Sequence, residues 1–567
     1  MKNIKNNYKN IFFIGTILLL FCFSFFYKEM HVSYDCLFHM NRLVGIVDAL
    51  RDRQFLPKLY PYTNNGYGYA SPLFYCDLFL YPFALLYWIG VPLVICYKLM
   101  IAFYTLFSII GIFYIGKKIF RRNKLTPYLL TIIYTFCNYR LYDVYERGAL
   151  GEIIAFAFIP WIIYAIYKIF MLKQDSWILL GISFACTLMS HNITFALCCM
   201  SFSCFIVGYV ILNRKNKVDL KKRMKSIIKA IALALSLTAW YLLPMIEQFL
   251  DQKFVVNGLK NIYNLSETAL PISAIFNPFA MLDRLEKGRF AVINIGWILL
   301  ITPITYLFKK EKNKYLTMAI VFAYILLMIM TGVGINMLES ITFIQFLFRL
   351  YIIIFPIMSF AVAYIFDNWG IEFQRIFIVA VIVYSIFNAC LIQYECLNKT
   401  NNLVNEATRE SLFDFNKEIG YRDHNGLEIS GGEYLPITEK VDYLEETTFI
   451  KEITKDGYID YIFDFNRNFT KIGFEAESDS RKLIMLPQTY YKGYQAYKIV
   501  NGNPQEIETI NVPEYKKVGI YIDAEYGEYY CEYKGTNIQN ISLFISAISL
   551  VYTICAIIKY SENHKSI

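Results

Sequence analysis

Residues 94–124, VICYKLMIAFYTLFSIIGIFYIGKKIFRRNK, join a long apolar run to a dense basic cluster, Lys117, Lys118, Arg121, Arg122 and Lys124. About 20 apolar residues in a helix rise some 30 Å, the thickness of bilayer hydrocarbon. Lys and Arg flanking such a run stay on the cytoplasmic side. This stretch therefore predicts a membrane span whose C-terminal end lies inside. The same pairing recurs at Arg214 through Lys229, at Lys309, Lys310, Lys312 and Lys314, and more weakly after Lys559.

The composition agrees. Of 567 residues, 56% are hydrophobic and 18% charged, with a mean hydropathy of +0.39. An average soluble domain holds about 25% charged residues. A soluble enzyme, a disordered chain, a fibrous protein and a small disulfide scaffold are excluded. Placing every basic cluster inside gives twelve expected spans, at 11–27, 94–116, 125–139, 153–171, 177–190, 193–212, 227–246, 292–308, 315–331, 348–366, 375–393 and 541–558. Both termini are then cytoplasmic. No small-x-small cleavage site follows the first run, so it reads as an uncleaved span. Residues 73–92 are apolar enough to cross, but crossing would put every later basic cluster outside, so they read as a helix on the outer surface. The expected fold is a polytopic α-helical membrane protein with an extracytoplasmic β-rich domain before the last helix. Its parts are a transmembrane bundle over 1–393 with a long external loop at 28–93, a β-sandwich-like domain over 394–540, and a final helix with a cytoplasmic tail over 541–567.

Residues 401–540 differ in character. They carry 25 Asp/Glu and 15 Lys/Arg, a net of −10, while the remainder holds a net of +19. That basic excess flanks the spans and is a topology signal rather than a nucleic-acid footprint. Short runs such as Tyr458–Phe463, Lys482–Leu486 and Val518–Ile522 alternate with turn residues, the pattern of β-strands. The thirteen cysteines show no CxxC, and most lie in apolar runs; Cys396 and Cys531 are the pair able to meet outside the membrane. The abundance of Lys, Ile, Asn and Tyr suggests an AT-rich bacterial genome, hence a bacterial cell membrane.

Ionisable groups beside the membrane collect on the outer side, where they are functional candidates. After the first span, Asp35, His39 and Arg42 are spaced i, i+4, i+7 and share a face if helical. Asp35 can act as general base toward a hydroxyl; the alternative is a capping and salt-bridge cluster. After the third span come Arg140, Glu146, Arg147 and Glu152. Arg suits phosphate oxygens and Glu suits a hard cation, Mg²⁺ or Mn²⁺; the alternative is an external anchor of mixed charge. His191 ends the fifth span and Arg349 opens the tenth, the latter either meeting a lipid phosphate or snorkelling. Tyr67, in a loop with Tyr62 and Tyr69, is a candidate for stacking on a sugar. No Walker A, Rossmann or GxSxG motif occurs.

These pieces resemble the GT-C superfamily of membrane glycosyltransferases and, within it, the YfhO-like bacterial membrane proteins. The resemblance is carried by Asp35 to Arg42, Gly66 to Tyr75, Arg147-Gly148-Ala149-Leu150-Gly151-Glu152, Ser190-His191-Asn192, Gln345-Phe346-Leu347-Phe348-Arg349, Gly432 to Pro436 and Leu486 to Tyr497. It implies a GT-C-like bundle and an inverting transfer of sugar from a polyprenyl-phosphate-linked donor to a cell-envelope glycan (teichoic acid included), glycolipid or protein outside the membrane. Asp35 would be the catalytic base, acting alone or with Glu146 or Glu152, and His39 and Glu152 are the other catalytic candidates. Arg42, Arg140, Glu146, Arg147, His191, Arg349 and Tyr67 would bind substrate or lipid phosphate. Many members carry an acidic pair where this chain has Asp35-Cys36, which leaves the need for a divalent cation open. A flippase or transporter for a lipid-linked glycan, and a non-catalytic carbohydrate-binding or assembly protein, remain alternative readings. Nucleic acid is not an expected partner.

Overall fold

Seven helices among the described residues are long and apolar enough to cross a membrane: Leu93–Ile119, Leu150–Met171, Asn192–Asn213, Lys217–Asp251, Leu347–Phe366, Ile371–Asn398 and Asn537–Lys559. Each coincides with an expected span. The computed structural model describes residues 2–64, 66–257, 268–275, 294–333, 344–398, 403–404, 432–438, 450–454, 457–461 and 465–565. Residues 399–400 and most of 405–449 lie outside that set, as do residues 462–463 of one expected strand.

The five other expected spans are shorter helices. Thr126–Thr135 has 10 residues, Trp177–Ser190 has 14, Trp297–Leu307 has 11, Lys314–Met330 has 17, and the first run is helical to Phe21. Ten residues rise about 15 Å, half the bilayer core, so Thr126–Thr135 does not cross alone. Its expected continuation to residue 139 is broken because Cys137 is extended (φ −62, ψ 140) before the chain re-enters a helix at Asn138–Tyr142. The segment 73–92 also matches its reading as non-crossing: its longest helix, Tyr81–Trp88, has 8 residues.

The chain divides into two compact units that do not follow the linear order. The first comprises Met1–Leu37, Val94–Leu235 and Leu259–Asn405. Leu347–Phe366 is its most enclosed helix and packs against Thr126–Thr135, Trp297–Leu307 and Lys314–Met330. At one end, Arg122 donates to Asn368 and Thr126 to Asp367 beyond that enclosed helix, and Tyr315 donates to Asn213. The basic clusters thus gather at one end of the unit. At the other end, Lys98 donates to the carbonyls of Tyr27, Lys28 and Glu29. There β1 (Met30–His31) pairs antiparallel with β2 (Leu403–Val404).

The second unit comprises Phe38–Leu93, Ser236–Gly258 and Glu406–Ile567. Most of segment 28–93, from Phe38 onward, therefore belongs to the same unit as the β domain. Its strands are β3 (Ile450–Thr454), β4 (Gly457–Tyr461), β5 (Phe465–Asn468), β6 (Lys471–Ala476), β7 (Lys482–Thr489), β8 (Tyr494–Val500), β9 (Asn503–Ile507), β10 (Thr509–Val512), β11 (Lys517–Ile522) and β12 (Gly527–Tyr533). They form two antiparallel sheets ordered β10-β11-β7-β3-β4 and β5-β6-β12-β8-β9. Ile484, Leu486, Val518 and Ile520 of one sheet share a buried core with Ile472, Phe474, Ala496 and Tyr529 of the other. That is the alternation a two-sheet sandwich requires. Cys396 belongs to the first unit and Cys531 to the second, and both are buried.

Candidate functional site

The site is built where short polar segments cap the ends of the first unit's helices. After Asn138–Tyr142, the chain enters a π-helical turn, Asp143–Arg147, and leaves it through Gly148 at φ 66. Such π-turns cost hydrogen-bond geometry and recur at functional sites. Gly148 is required there. A Cβ would stand 2.1 Å from Ser33 Oγ and 3.1 Å from the Cys36 nitrogen. The close approach lets the Asp35 N–H donate to the Arg147 carbonyl at 2.7 Å and the Tyr34 N–H to the Glu146 carbonyl at 3.3 Å. Asp35 immediately precedes the helix Cys36–Arg51. The turn carrying Asp35 and the turn carrying Arg147 are therefore one backbone-tied element.

Glu152, in the first turn of Leu150–Ile166, is the centre of the charge cluster. Arg147 donates to its Oε1 at 3.0 Å, Arg349 Nε donates to the same oxygen at 3.0 Å, and the Tyr139 hydroxyl donates to Oε2. Arg147 also donates to Asp143 Oδ1 at 2.9 Å and to the Tyr139 hydroxyl oxygen at 3.3 Å. Arg349 donates further to Gln345 and to the Ile344 carbonyl. Two stacked rings support the cations: Phe348 lies under Arg147 at 5.3 Å and Phe346 under Arg349 at 5.0 Å. Glu152 thus holds two guanidinium groups side by side.

Asp35 lies within electrostatic reach of both arginines and of Glu152. It is half-buried. Burial pushes its carboxyl above the usual carboxylate range; Arg147 and Arg349 oppose that rise, and Glu152 adds to it. A carboxylate raised in this way is better matched to general-base work near neutral pH. His191 breaks the chain between Trp177–Ser190 and Asn192–Asn213 in an extended conformation, and its Nδ1 accepts from the Thr194 N–H at 3.3 Å. It interacts electrostatically with Glu152.

Asp35, Arg147, Glu152, His191 and Arg349 therefore gather in one cluster of the first unit. Within the same unit, Arg140 and Glu146 make other contacts. Arg140 is fully buried, donates to Ser108 at 2.9 Å and lies over Phe21 and Phe156. Glu146 turns instead toward His31, at 3.9 Å, and Cys396; these three donors lie within 4.8 Å of one another. His39, Arg42 and Tyr67 belong to the second unit. Arg42 is closed into an ion pair with Asp77 at 2.5 Å, contacts His39 Nδ1 at 3.0 Å, donates to the Cys76 carbonyl at 2.9 Å and stacks on Tyr75. Its donors are taken up by these contacts within the second unit. His39 is buried beside it and serves the same pair. Tyr67 is 3% exposed, with Lys517 Nζ over its ring at 4.0 Å, so the face expected to stack on a sugar is already covered. Sequence reasoning missed Tyr139 and Asp143. Their spacing to Arg147, i, i+4 and i+8, puts all three on one helical face and was the available signal.

The same unit holds a second feature. Ile159, Ile162, Cys198, Phe202, Ile353 and Pro356 line part of an apolar cavity of about 260 Å³ between helices of the same unit. Ile159, Cys198 and Pro356 each lie seven residues beyond Glu152, His191 and Arg349. Seven helical residues rise about 10 Å. Three neighbouring segments thus carry polar groups at their beginnings and apolar groove residues two turns further on.

A family model and several known proteins match this chain. The profile of the 6-pyruvoyl-tetrahydropterin synthase related domain, described as a membrane protein, matches residues 73–397. An uncharacterized protein of Lactococcus lactis subsp. cremoris (strain MG1363) is 23% identical over 342 residues, which is 57% of this chain and 54% of that relative. The chain thus spans about half the length of the curated relative it matches. Among solved structures, the arabinofuranosyltransferase AftD from Mycobacteria is similar over 74% of this chain and 29% of its own, with a TM-score of 0.45 and 13% identity. A mutant of that enzyme covers 74% and 30%, with a TM-score of 0.44 and 15% identity. The matched profile covers more than half of the 567 residues, and the chain belongs to the 6-pyruvoyl-tetrahydropterin synthase related domain family of membrane proteins.

Proposed function

We propose that this chain is a membrane glycosyltransferase that transfers a sugar from a polyprenyl-phosphate-linked donor to a cell-envelope glycan, glycolipid or protein on the outer face of a bacterial membrane. The observation that carries this reading is the polar-to-apolar sequence along Leu150–Ile166, Asn192–Asn213 and Leu347–Phe366. Two arginines and a histidine stand at the beginnings of these segments, and an apolar cavity opens about 10 Å further along them. That is the outline of an amphiphile with an anionic head and a hydrocarbon chain. The positive ends of the helix dipoles add to the attraction for phosphate.

In the proposed reaction the acceptor hydroxyl oxygen attacks the anomeric carbon and forms the new C–O bond. The bond from that carbon to the phosphate oxygen breaks, and the lipid phosphate leaves with the electron pair. The acceptor proton passes to Asp35. Arg147 and Arg349 stabilise the charge that develops on the leaving oxygen. Single displacement inverts the anomeric centre. Glu152 and Tyr139 hold the two cations in place, and no nucleotide is consumed.

The test compares a polyprenyl phosphate with the corresponding polyprenol, each presented to the purified chain in nanodiscs and measured by native mass spectrometry. Retention of the phosphate lipid over the alcohol, lost in Arg349→Ala and weakened in Ile159→Trp, supports the reading. Equal retention of both lipids, or no effect of either substitution, refutes it.

A further inference from the structure

Outside the charge cluster, His31, Glu146 and Cys396 bring three chemically different donors together from three separate elements. His31 lies on β1, Glu146 on the π-helical turn, and Cys396 in the last turn of Ile371–Asn398. Their ligand atoms all lie within 4.8 Å of one another, and His31 Nε2 stands 3.9 Å from Glu146 Oε2. Tetrahedral zinc ligands at about 2.0–2.3 Å from the ion stand roughly 3.3–3.8 Å apart, so closing onto an ion takes movements of about 1 Å or less. The side chains of His31 and Glu146 are 9% and 6% exposed, and Cys396 is 2% exposed.

We propose that His31, Glu146 and Cys396 form a zinc site that clamps the turn carrying Asp35. The donor set selects the ion. A thiolate and an imidazole suit zinc and other borderline-soft metals, whereas Mg²⁺ takes oxygen ligands. Charge favours occupancy, because a thiolate, a carboxylate and a neutral imidazole around Zn²⁺ sum to zero in a place where a net charge is costly. A cavity of about 30 Å³, lined by His31, Cys396, Ser24, Glu29 and Tyr97, adjoins the donors. It is large enough for one water as fourth ligand, which needs about 10–15 Å³. Without metal, the same contacts are an imidazole–carboxylate pair at 3.9 Å and a thiol donating to the Tyr145 carbonyl at 3.5 Å.

The site's position gives it a role. Glu146 directly precedes Arg147, and His31 lies four residues before Asp35. The Tyr34 and Asp35 N–H groups donate to the Glu146 and Arg147 carbonyls. An ion held by His31 and Glu146 fixes both sides of this backbone pairing and acts on Asp35 as a positioning device. That role rests on the glycosyltransferase reading; the metal site itself does not.

The full chain, purified in detergent, is stripped with chelator and titrated with Co²⁺ and Zn²⁺. The proposal expects near-stoichiometric zinc by elemental analysis and a thiolate-to-cobalt charge-transfer band. The band disappears in Cys396→Ser, persists in Cys204→Ser (an exposed thiol outside the cluster), and metal affinity falls at least tenfold in His31→Ala. X-ray absorption on the wild-type zinc protein needs no variant and is expected to give one sulfur at about 2.3 Å with nitrogen and oxygen neighbours. No band in the wild type, a band that survives Cys396→Ser, or a zinc shell without sulfur overturns the site. Metal binding is read without activity, so a chain that binds zinc but transfers no sugar refutes the function and leaves the site standing.

Discussion

Replacing Gly148 with Ala isolates the tie between the Arg147 turn and the Asp35 turn. The added methyl group would meet Ser33 Oγ at 2.1 Å, Ser33 Cβ at 3.1 Å and the Cys36 nitrogen at 3.1 Å. Non-bonded heavy atoms settle near 3.5 Å, so the hydroxyl has to move by more than about 1 Å. Rotating the Ser33 side chain relieves the worst contact but leaves the other two. The backbone at φ 66 adds about 1–2 kcal/mol for a residue with a Cβ. A displacement of about 1 Å in a reacting group costs on the order of a hundredfold in rate. The expected result is a folded protein with a melting temperature lowered by a few degrees, a kcat reduced about a hundredfold, and little change in donor retention. The double variant Gly148→Ala with Ser33→Ala removes the 2.1 Å contact and is expected to recover part of that rate. The assay is transfer of a labelled sugar in proteoliposomes, with melting followed by intrinsic fluorescence. A folded Gly148→Ala protein with full activity refutes the claim that this loop positions Asp35.

Three more outcomes test other parts of the account. Asp35 is held above the usual carboxylate range by burial, and Arg147 opposes that rise; since the base works deprotonated, the acid limb of the rate profile lies above about pH 4 and moves to still higher pH in Arg147→Gln, as a pH–rate series shows. Glu152→Gln removes the shared partner of Arg147 and Arg349 and is expected to lower kcat at least tenfold while Tyr139→Phe, which removes one donor to the same carboxylate, lowers it less; steady-state kinetics separates the two. Arg42→Ala leaves Asp77 buried without its cation, a loss of about 3–5 kcal/mol visible as a lowered midpoint in thermal unfolding.

Much of the membrane layout was legible because bilayer crossing and charge asymmetry act on long windows of sequence. Leu93–Ile119 with its basic cluster, and the enclosed helix Leu347–Phe366, needed no tertiary information. Thr126–Thr135 was overextended for the opposite reason. The apolar pattern continues through Phe136 and Cys137, while the break depends on how the following turn packs. Part of the cluster was legible by chemistry: Asp35, Arg147, Glu152, His191 and Arg349 were chosen as charged or titratable groups at span ends. The same rule selected Arg42, His39 and Arg140, whose burial and pairing come from distant residues. Asp77 lies 35 residues from Arg42 and Ser108 lies 32 from Arg140. Tyr67 was read as a loop aromatic and proved to be a core residue of its unit, packed with Tyr69 and Leu435. The His31–Glu146–Cys396 grouping was invisible because its members span 365 sequence positions and meet only in three dimensions.

Sugar transfer by Asp35→Asn, which keeps the side chain's shape and removes its basicity, addresses the central claim most directly. Proteoliposomes with wild-type or variant protein receive a polyprenyl-phosphate-linked labelled sugar and an envelope extract as acceptor. The account predicts transfer by the wild type, with an inverted linkage, and a loss of at least a hundredfold in the variant at unchanged donor retention. Equal transfer by both proteins would contradict it.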